Sequence, residues 1–301
     1  MIVHNQKYPP TPEKLLKKEG RDIRQMFASI APTYDLLNSL LSLGLDARWR
    51  RRVVNLAGPS PNARVLDLCT GTAELALTFA KRLDPKGYVV ASDFCWEMLA
   101  LASKKLKETS PSTPEGIVAP TPPPSPGGRG KGKGDTLTLP SPLKGEGHAY
   151  RSATACPVVL VQADALCLPF PDKAFDVVSV AFGIRNVSNL TQGLKEMVRV
   201  VKPGGKVVIL EFSLPAGPVF GRLYNFYFNK LLPWIGNSIS AGSGPATASG
   251  RLRAYSYLPA SVGQFARPEE LKREMESCGL TEVEYHPLTL GIVTVYAGKR
   301  L

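Results

Sequence analysis

With 301 residues, of which 44% are hydrophobic and 21% charged, the chain can bury a full core and has the composition of a globular protein. A formal charge of +12 suits a nucleic-acid partner, an anionic membrane surface or a solvated basic exterior. The five cysteines form no C-x-x-C pair or Cys/His cluster, which argues against a metal site and a disulfide framework and for a cytoplasmic setting.

Residues 1–20 are polar and rich in proline and lysine, and read as a flexible arm before a single domain over 21–301. They include no apolar leader, and no run in the chain approaches the ~20 residues that span a bilayer. Over 21–56, Met26, Phe27, Ile30, Leu36, Leu37, Leu40 and Leu41 recur at helical spacing with a break at Pro32. Two or three short helices are expected there. Tyr34 and Asp35 fall in the break, where they either cap a helix or line a pocket.

The stretch R-V-L-D-L-C-T-G-T-A-E-L, residues 64–75, is the one around which the rest of the chain is organised. An apolar run holding Asp67 reads as a buried parallel strand, Thr70 to Ala73 as a tight loop, and E-L-A-L-T-F-A as a helix start. Gly71, lacking a Cβ, lets the backbone pass close to a ligand. About twenty residues on, Y-V-V-A-S-D ends a second strand in Asp93, where an acid accepts hydrogen bonds from a ribose diol. The loop has one glycine where a dinucleotide site would read G-x-G-x-x-G, which disfavours a pyrophosphate cradle and a nicotinamide dehydrogenase. S-adenosylmethionine, a nucleoside ligand without phosphate, suits the same geometry. Trp96 follows on a helix, either stacked on an adenine or in the core.

From 108 to 157 the chain is rich in Pro, Gly, Ser and Thr and holds two imperfect copies of one phrase, at 121–130 and 137–147. It cannot bury enough apolar surface to offset its ordering entropy and reads as a disordered insertion. Order resumes with a strand at 158–161 ended by Gln162-Ala163-Asp164-Ala165, and a strand at 175–180 ended by A-F-G-I-R-N. An amphipathic helix stopped by Pro203-Gly204-Gly205 and a strand at 206–212 come next. Alternation at this spacing argues an α/β fold, a doubly wound and mostly parallel sheet. The aromatic run at 220–234 is either core or a contact with an apolar ligand or bilayer. A helix beginning R-P-E-E-L and a closing antiparallel strand pair at the sheet edge complete the chain.

V-L-D-L-C-T-G-T, Asp93, Q-A-D-A-x-x-L-P-F and V-V-K-P-G-G together resemble class I S-adenosylmethionine-dependent methyltransferases of Rossmann-like fold. F-A-S-I-A-P-T-Y-D-L-L-N-S-L-L-S-L-G, A-F-G-I-R-N-V, L-E-F-S and A-Y-x-Y-L-P-x-S narrow the resemblance to the demethylmenaquinone and ubiquinone-biosynthesis C-methyltransferase family, the MenG/UbiE type. The chain departs from that family's pattern at Ala73 and Glu74, which replace Gly-Asp, at Ala181, which replaces a serine, in the stretch before A-Y-x-Y-L-P-x-S, and in the insertion. The resemblance implies methylation of a ring carbon of a polyprenylated quinol, demethylmenaquinol or its ubiquinone-pathway counterpart, with S-adenosylmethionine as methyl donor and no metal. It implies Asp67, Gly71 and Thr72 around the methionine part, Asp93 on the ribose, Asp164 and Ala165 at the adenine, and the Ala181 backbone nearby. Arg185 is expected to stabilise a phenolate, Asn186 to orient the oxygen, and Tyr34 to line the quinol path. Without a spanning helix, transient contact with the inner face of the cytoplasmic membrane is expected, and no nucleic acid; a homodimer is compatible. Rival readings are an RNA-directed methyltransferase and a non-catalytic cofactor-binding protein.

Overall fold

The computed structural model describes residues 15–31, 34–35, 42, 44–109, 117–118, 156–213 and 257–301. The Pro32 break, the apolar run at 36–41, most of the insertion and the aromatic run at 220–234 lie outside these residues.

Among the described residues, eight strands form one sheet: β1 Arg64–Leu68, β2 Tyr88–Asp93, β3 Ile117–Val118, β4 Val158–Gln162, β5 Phe175–Ala181, β6 Val201–Phe212, β7 Leu280–Leu288 and β8 Val293–Arg300. Their order across the sheet is β3-β4-β2-β1-β5-β6-β8-β7. Pairings from β3 to β6 are parallel; β8 runs antiparallel to both β6 and β7. Among the described residues, helices include α1 Gly20–Ile30, α2 Asp46–Ala57, α3 Glu74–Ala80, α4 Trp96–Thr109, α5 Leu190–Val200 and α6 Pro268–Ser277.

Successive strand residues point to opposite faces, and the two faces carry two cores. Val65, Val89, Leu160, Val208 and Val295 pack beneath α2, α3 and α4 through Trp49, Val53, Phe79 and Leu99. Leu66, Val90, Val178, Ile209 and Tyr296 pack beneath α5 and α6 through Leu194, Met197, Leu271 and Met275. The sheet is therefore doubly wound, as the alternation of strands and helices predicts.

Three details differ from the sequence reading. β3 falls inside the stretch expected to be structureless, and pairs with β4 through Ile117 and Val118. Leu15, in the expected arm, is fully buried against Ile23, Met26 and Tyr257, because its apolar side chain finds a cluster there. β6 starts at Val201 rather than Lys206: Val201 pairs with Phe175 and Lys206 with Val177, so Pro203-Gly204-Gly205 bulges out of the strand. Gly204 has φ +76°, and a Cβ on Gly205 would lie 2.7 Å from the Asp176 carbonyl oxygen, which explains both glycines.

Candidate active site

The carboxyl ends of β1, β2, β4 and β5 meet at one edge of the sheet, where ligands of open α/β folds bind. Two adjoining cavities open there. One, of about 120 Å³, is lined by Gly71, Asp93, Phe94, Asp164, Ala165 and Asn186 among others. The second, of about 300 Å³, is lined by Asp67, Thr70, Thr72, Glu74, Asp46 and Arg50 among others. Tyr34, Cys69, Ala181 and Phe182 line both and mark the junction.

The loop after β1 is shaped by left-handed residues: Cys69 (φ +50°), Gly71 (φ +57°) and Ala73 (φ +65°). For the two that carry a Cβ this conformation costs roughly 1–2 kcal/mol each, so the surroundings must hold it. They do so through the end of β2: Thr70 N–H donates to the Ser92 carbonyl (3.0 Å) and Gly71 N–H to Asp93 Oδ2 (2.8 Å). Asp93 Oδ1 accepts from Cys95 N–H at 2.8 Å. Burial raises the Asp93 pKa, and these backbone donors oppose the rise. Tyr34 lies over Gly71, its ring 3.5 Å from where a Cβ would stand.

Asp67 forms the floor of the larger cavity and is 1% exposed. The β1–β5 register sets Ser179 beside it. Ser179 Oγ donates to Oδ1 (2.9 Å) and Thr70 Oγ1 to Oδ2 (2.6 Å). No cation pairs with Asp67 among the described residues. Burial pushes its pKa up to about 7 against the pull of the two hydroxyls. Cys69 shows that the junction as a whole is electronegative: burial first, then the charges of Asp93, Asp67, Asp164 and Glu211, raise its thiol well above the ordinary range.

A chain of polar contacts holds Tyr34-Asp35 against this loop. Thr72 Oγ1 donates to Asp35 Oδ1 (2.6 Å), and Lys105 Nζ donates to both Asp35 Oδ2 and Glu74 Oε1 (2.6 Å each). Glu74 also meets Arg50 at 3.4 Å, and Arg50 meets Asp46 at 2.8 Å. Glu74 is the residue that replaces a shorter acid in the family phrase, and it spans α2 and α4.

Every sequence-predicted site residue except Arg185 lines one cavity or both. Arg185 is 6% exposed and turned into the interior. Its Nη1 lies 2.6 Å from Glu211 Oε1 and 2.5 Å from the Phe182 carbonyl, and its guanidinium sits 5.4 Å from the centre of the Phe212 ring. Its buried Nε–H has no hydrogen-bond partner among the described residues. Asn186 reaches the smaller cavity and accepts from the Tyr257 hydroxyl at 2.9 Å.

Sequence reasoning missed Phe94, Phe182 and Glu211. Phe94 lines the cavity directly after Asp93, whereas Trp96 opens α4 and does not line it. Glu211 is the acid of L-E-F-S, and only the register of β6 reveals that it faces Arg185. Asp164 caps its own turn by accepting from Leu166 N–H (2.9 Å). Among the described residues, no group of three or more His, Cys, Asp or Glu is placed to hold a metal ion.

Comparison with known proteins gives this geometry a family. The model of the ubiE/COQ5 methyltransferase family matches residues 14–119 and 141–300. A ubiquinone/menaquinone biosynthesis C-methyltransferase UbiE of Geobacter sulfurreducens is 39% identical over 285 residues, covering 95% of this chain and 91% of its own. A demethylmenaquinone methyltransferase of Thermus thermophilus is 39% identical over 275 residues, covering 91% of this chain and all of its own (100%). Among solved structures, a SAM-dependent methyltransferase from Thermotoga maritima superposes with a TM-score of 0.51 at 14% identity, over 92% of this chain and 100% of that one. At that identity the likeness concerns the fold alone. By the family match over most of its length, and by relatives of this similarity, the chain belongs to the ubiE/COQ5 methyltransferase family.

Proposed function

We propose that this protein transfers a methyl group from S-adenosylmethionine to a ring carbon of a polyprenylated quinol, demethylmenaquinol or its ubiquinone-pathway equivalent. The observation that carries the reading is Asp67: a buried carboxylate without a cation among the described residues, on the floor of a cleft whose junction is electronegative. Such a site suits a ligand carrying an ammonium and a sulfonium. Bound S-adenosylmethionine supplies an electrophilic methyl group.

In this reading Asp67 pairs with the amino group of the methionine part, and the Gly71-Thr72 backbone lies beside it. Asp93 meets the ribose hydroxyls with the lone pairs its backbone partners leave. Asp164 and Ala165 take the adenine edge, beside Phe94, and Ala181 offers only its backbone. Tyr34 and Phe182 wall the junction, so the reacting carbon is held close and aligned there. A hydroxyl ortho to that carbon makes it nucleophilic once its proton has gone to solvent. As the ring carbon takes the methyl, the sulfur–methyl bond breaks to leave a neutral thioether, and the carbon's own proton passes to solvent to restore the ring. Asn186 orients the deprotonated oxygen. Arg185 lies behind Phe182, paired with Glu211, and acts on that oxygen's charge through space rather than by a hydrogen bond. Glu211 fixes the guanidinium and is a positioning residue. The relatives named for quinone methylation support the choice of acceptor. We place the enzyme in the cytoplasm, meeting its lipophilic substrate at the membrane surface; no described helix is long and apolar enough to cross a membrane.

The test is methyl transfer from labelled S-adenosylmethionine to short-chain demethylmenaquinol and, in parallel, to the ubiquinone-pathway quinol. Label is expected in one of them, and is lost in Arg185→Ala with cofactor binding retained. Cofactor binding with no label in either quinol would overturn the reading.

A further inference from the structure

Leu290, at the tip of the β7–β8 hairpin, is 71% exposed. Among the described residues only Leu301 is a large hydrophobic side chain of comparable exposure. The tip is strained: Thr289 (φ +50°), Leu290 (φ +57°) and Gly291 (φ +87°) are all left-handed, and a leucine in that region is a genuine outlier. The backbone is thus held in a costly form that presents an apolar side chain to the outside, an observation that points to a use.

The hairpin lies on the site edge of the sheet, because Val293 at the start of β8 pairs with both Phe212 and Leu288. It is fixed to α2 by Trp49, whose Nε1–H donates to Thr289 Oγ1 at 2.8 Å. An apolar seam joins it to the cleft. Phe182, at the junction, lies 6.2 Å from Trp49 and 4.5 Å from Phe212, ring centre to ring centre. Half-buried Leu288 and Ile292 continue the seam to the tip.

On α2, whose Trp49 holds the tip, Arg48, Arg51 and Arg52 are exposed and without an ion pair among the described residues. By helical geometry Arg48 and Arg52 share one side of Trp49, and Arg51 lies farther round the helix. The helix's single acid, Asp46, is turned inward to Arg50. An exposed leucine on a hairpin held against a helix that carries unpaired arginines matches the chemistry of an anionic bilayer, with an apolar interior beneath a phosphate layer. A nucleic acid would use the arginines and leave the leucine unmatched.

We infer that the Leu290 hairpin tip and the Arg48, Arg51 and Arg52 face of α2 form a surface that docks on an anionic lipid bilayer. The seam of Leu288, Ile292, Phe212 and Phe182 then leads a lipophilic chain from the bilayer to the cleft. The inference rests on the quinol reading for the passenger, and on the surface itself for the docking.

The experiment is co-sedimentation of the full chain with phosphatidylcholine vesicles, with and without phosphatidylglycerol. Binding is expected only to the anionic vesicles. Each arginine near an anionic surface contributes about fivefold, so the triple change Arg48→Ala, Arg51→Ala, Arg52→Ala weakens binding on the order of 100-fold. Leu290→Asp weakens it about tenfold or more. Leu290→Gly, which relieves the strained φ, keeps or raises the melting temperature while still weakening binding, so misfolding cannot mimic the result. All these variants turn over a water-soluble short-chain quinol at the parent rate, and lose rate only on a long-chain quinol embedded in anionic vesicles. Equal binding to neutral and anionic vesicles, or parent-like binding by the variants, overturns the docking surface. Binding to duplex RNA that needs the arginines and ignores Leu290→Asp reassigns the face to nucleic acid and also overturns it. Vesicle binding as expected with no quinol methylated leaves the docking surface standing and sinks the quinol reading.

Discussion

Asp67 is the residue whose chemistry is most open to test. Its folded pKa is raised, to about 7, so the fold holds a proton that the unfolded chain gives up in the ordinary carboxylate range. That bound proton stabilises the ligand-free protein fully at low pH, and the stabilisation is lost as pH rises through about 7. Asp67→Asn mimics the protonated form. Melting curves across pH should therefore show the variant gaining on the parent between the ordinary carboxylate range and about pH 7, then holding a constant lead. Cofactor affinity should behave oppositely. An ammonium partner favours the ionised form, so the parent loses affinity below about pH 7, by up to about tenfold per pH unit. The variant binds about 10- to 100-fold more weakly at high pH and with a flat profile, as calorimetry would show. Gly183 is as specific: a Cβ there would stand 2.2 Å from Cys69 Cβ. The glycine of F-G-I-R-N exists to let the β5 loop touch the β1 loop. Gly183→Ala should cost about 1–3 kcal/mol of stability and weaken cofactor binding, read by thermal melting and titration.

At the scale of elements, the clasp through Thr72, Asp35, Lys105 and Glu74 ties the Tyr34 segment to α3 and α4. Asp35→Ala removes two of its contacts at once. The expected outcome is a cofactor dissociation constant raised about tenfold, from a loss of about 1–1.5 kcal/mol, with the maximal rate little changed. Calorimetry and steady-state kinetics separate the two. The same elements show what is legible in the sequence. Strand–loop–helix units are, because buried parallel strands and their acids leave a local pattern: Asp67, Gly71, Asp93 and Asp164 all fall in the cleft. The partnership of Arg185 with Glu211 is not, because it joins the turn after β5 to β6, whose register no local pattern states. Phe94 is easily overlooked beside the larger Trp96, since size does not tell which side of a helix start faces a cavity.

For the molecule as a whole, the family model leaves 120–140 unmatched, in the connection between β3 and β4 at the outer edge of the sheet. Loop-closure entropy changes slowly with length. Deleting 120–140 should leave the melting temperature within a few degrees and methyl transfer at the parent level. A loss of activity with the fold intact would give that segment a role. The strand order is only half legible: two closing antiparallel strands are visible in the sequence, but not that β8 enters between β6 and β7. That order has a consequence for the making of the protein. β8 comes after every other strand in the chain yet lies inside the sheet. Until it leaves the ribosome, the long apolar β6 waits with one side open and β7 has nothing to pair with. The nascent chain therefore stays sticky until β8 has emerged, and chaperones have their claim on it up to that moment.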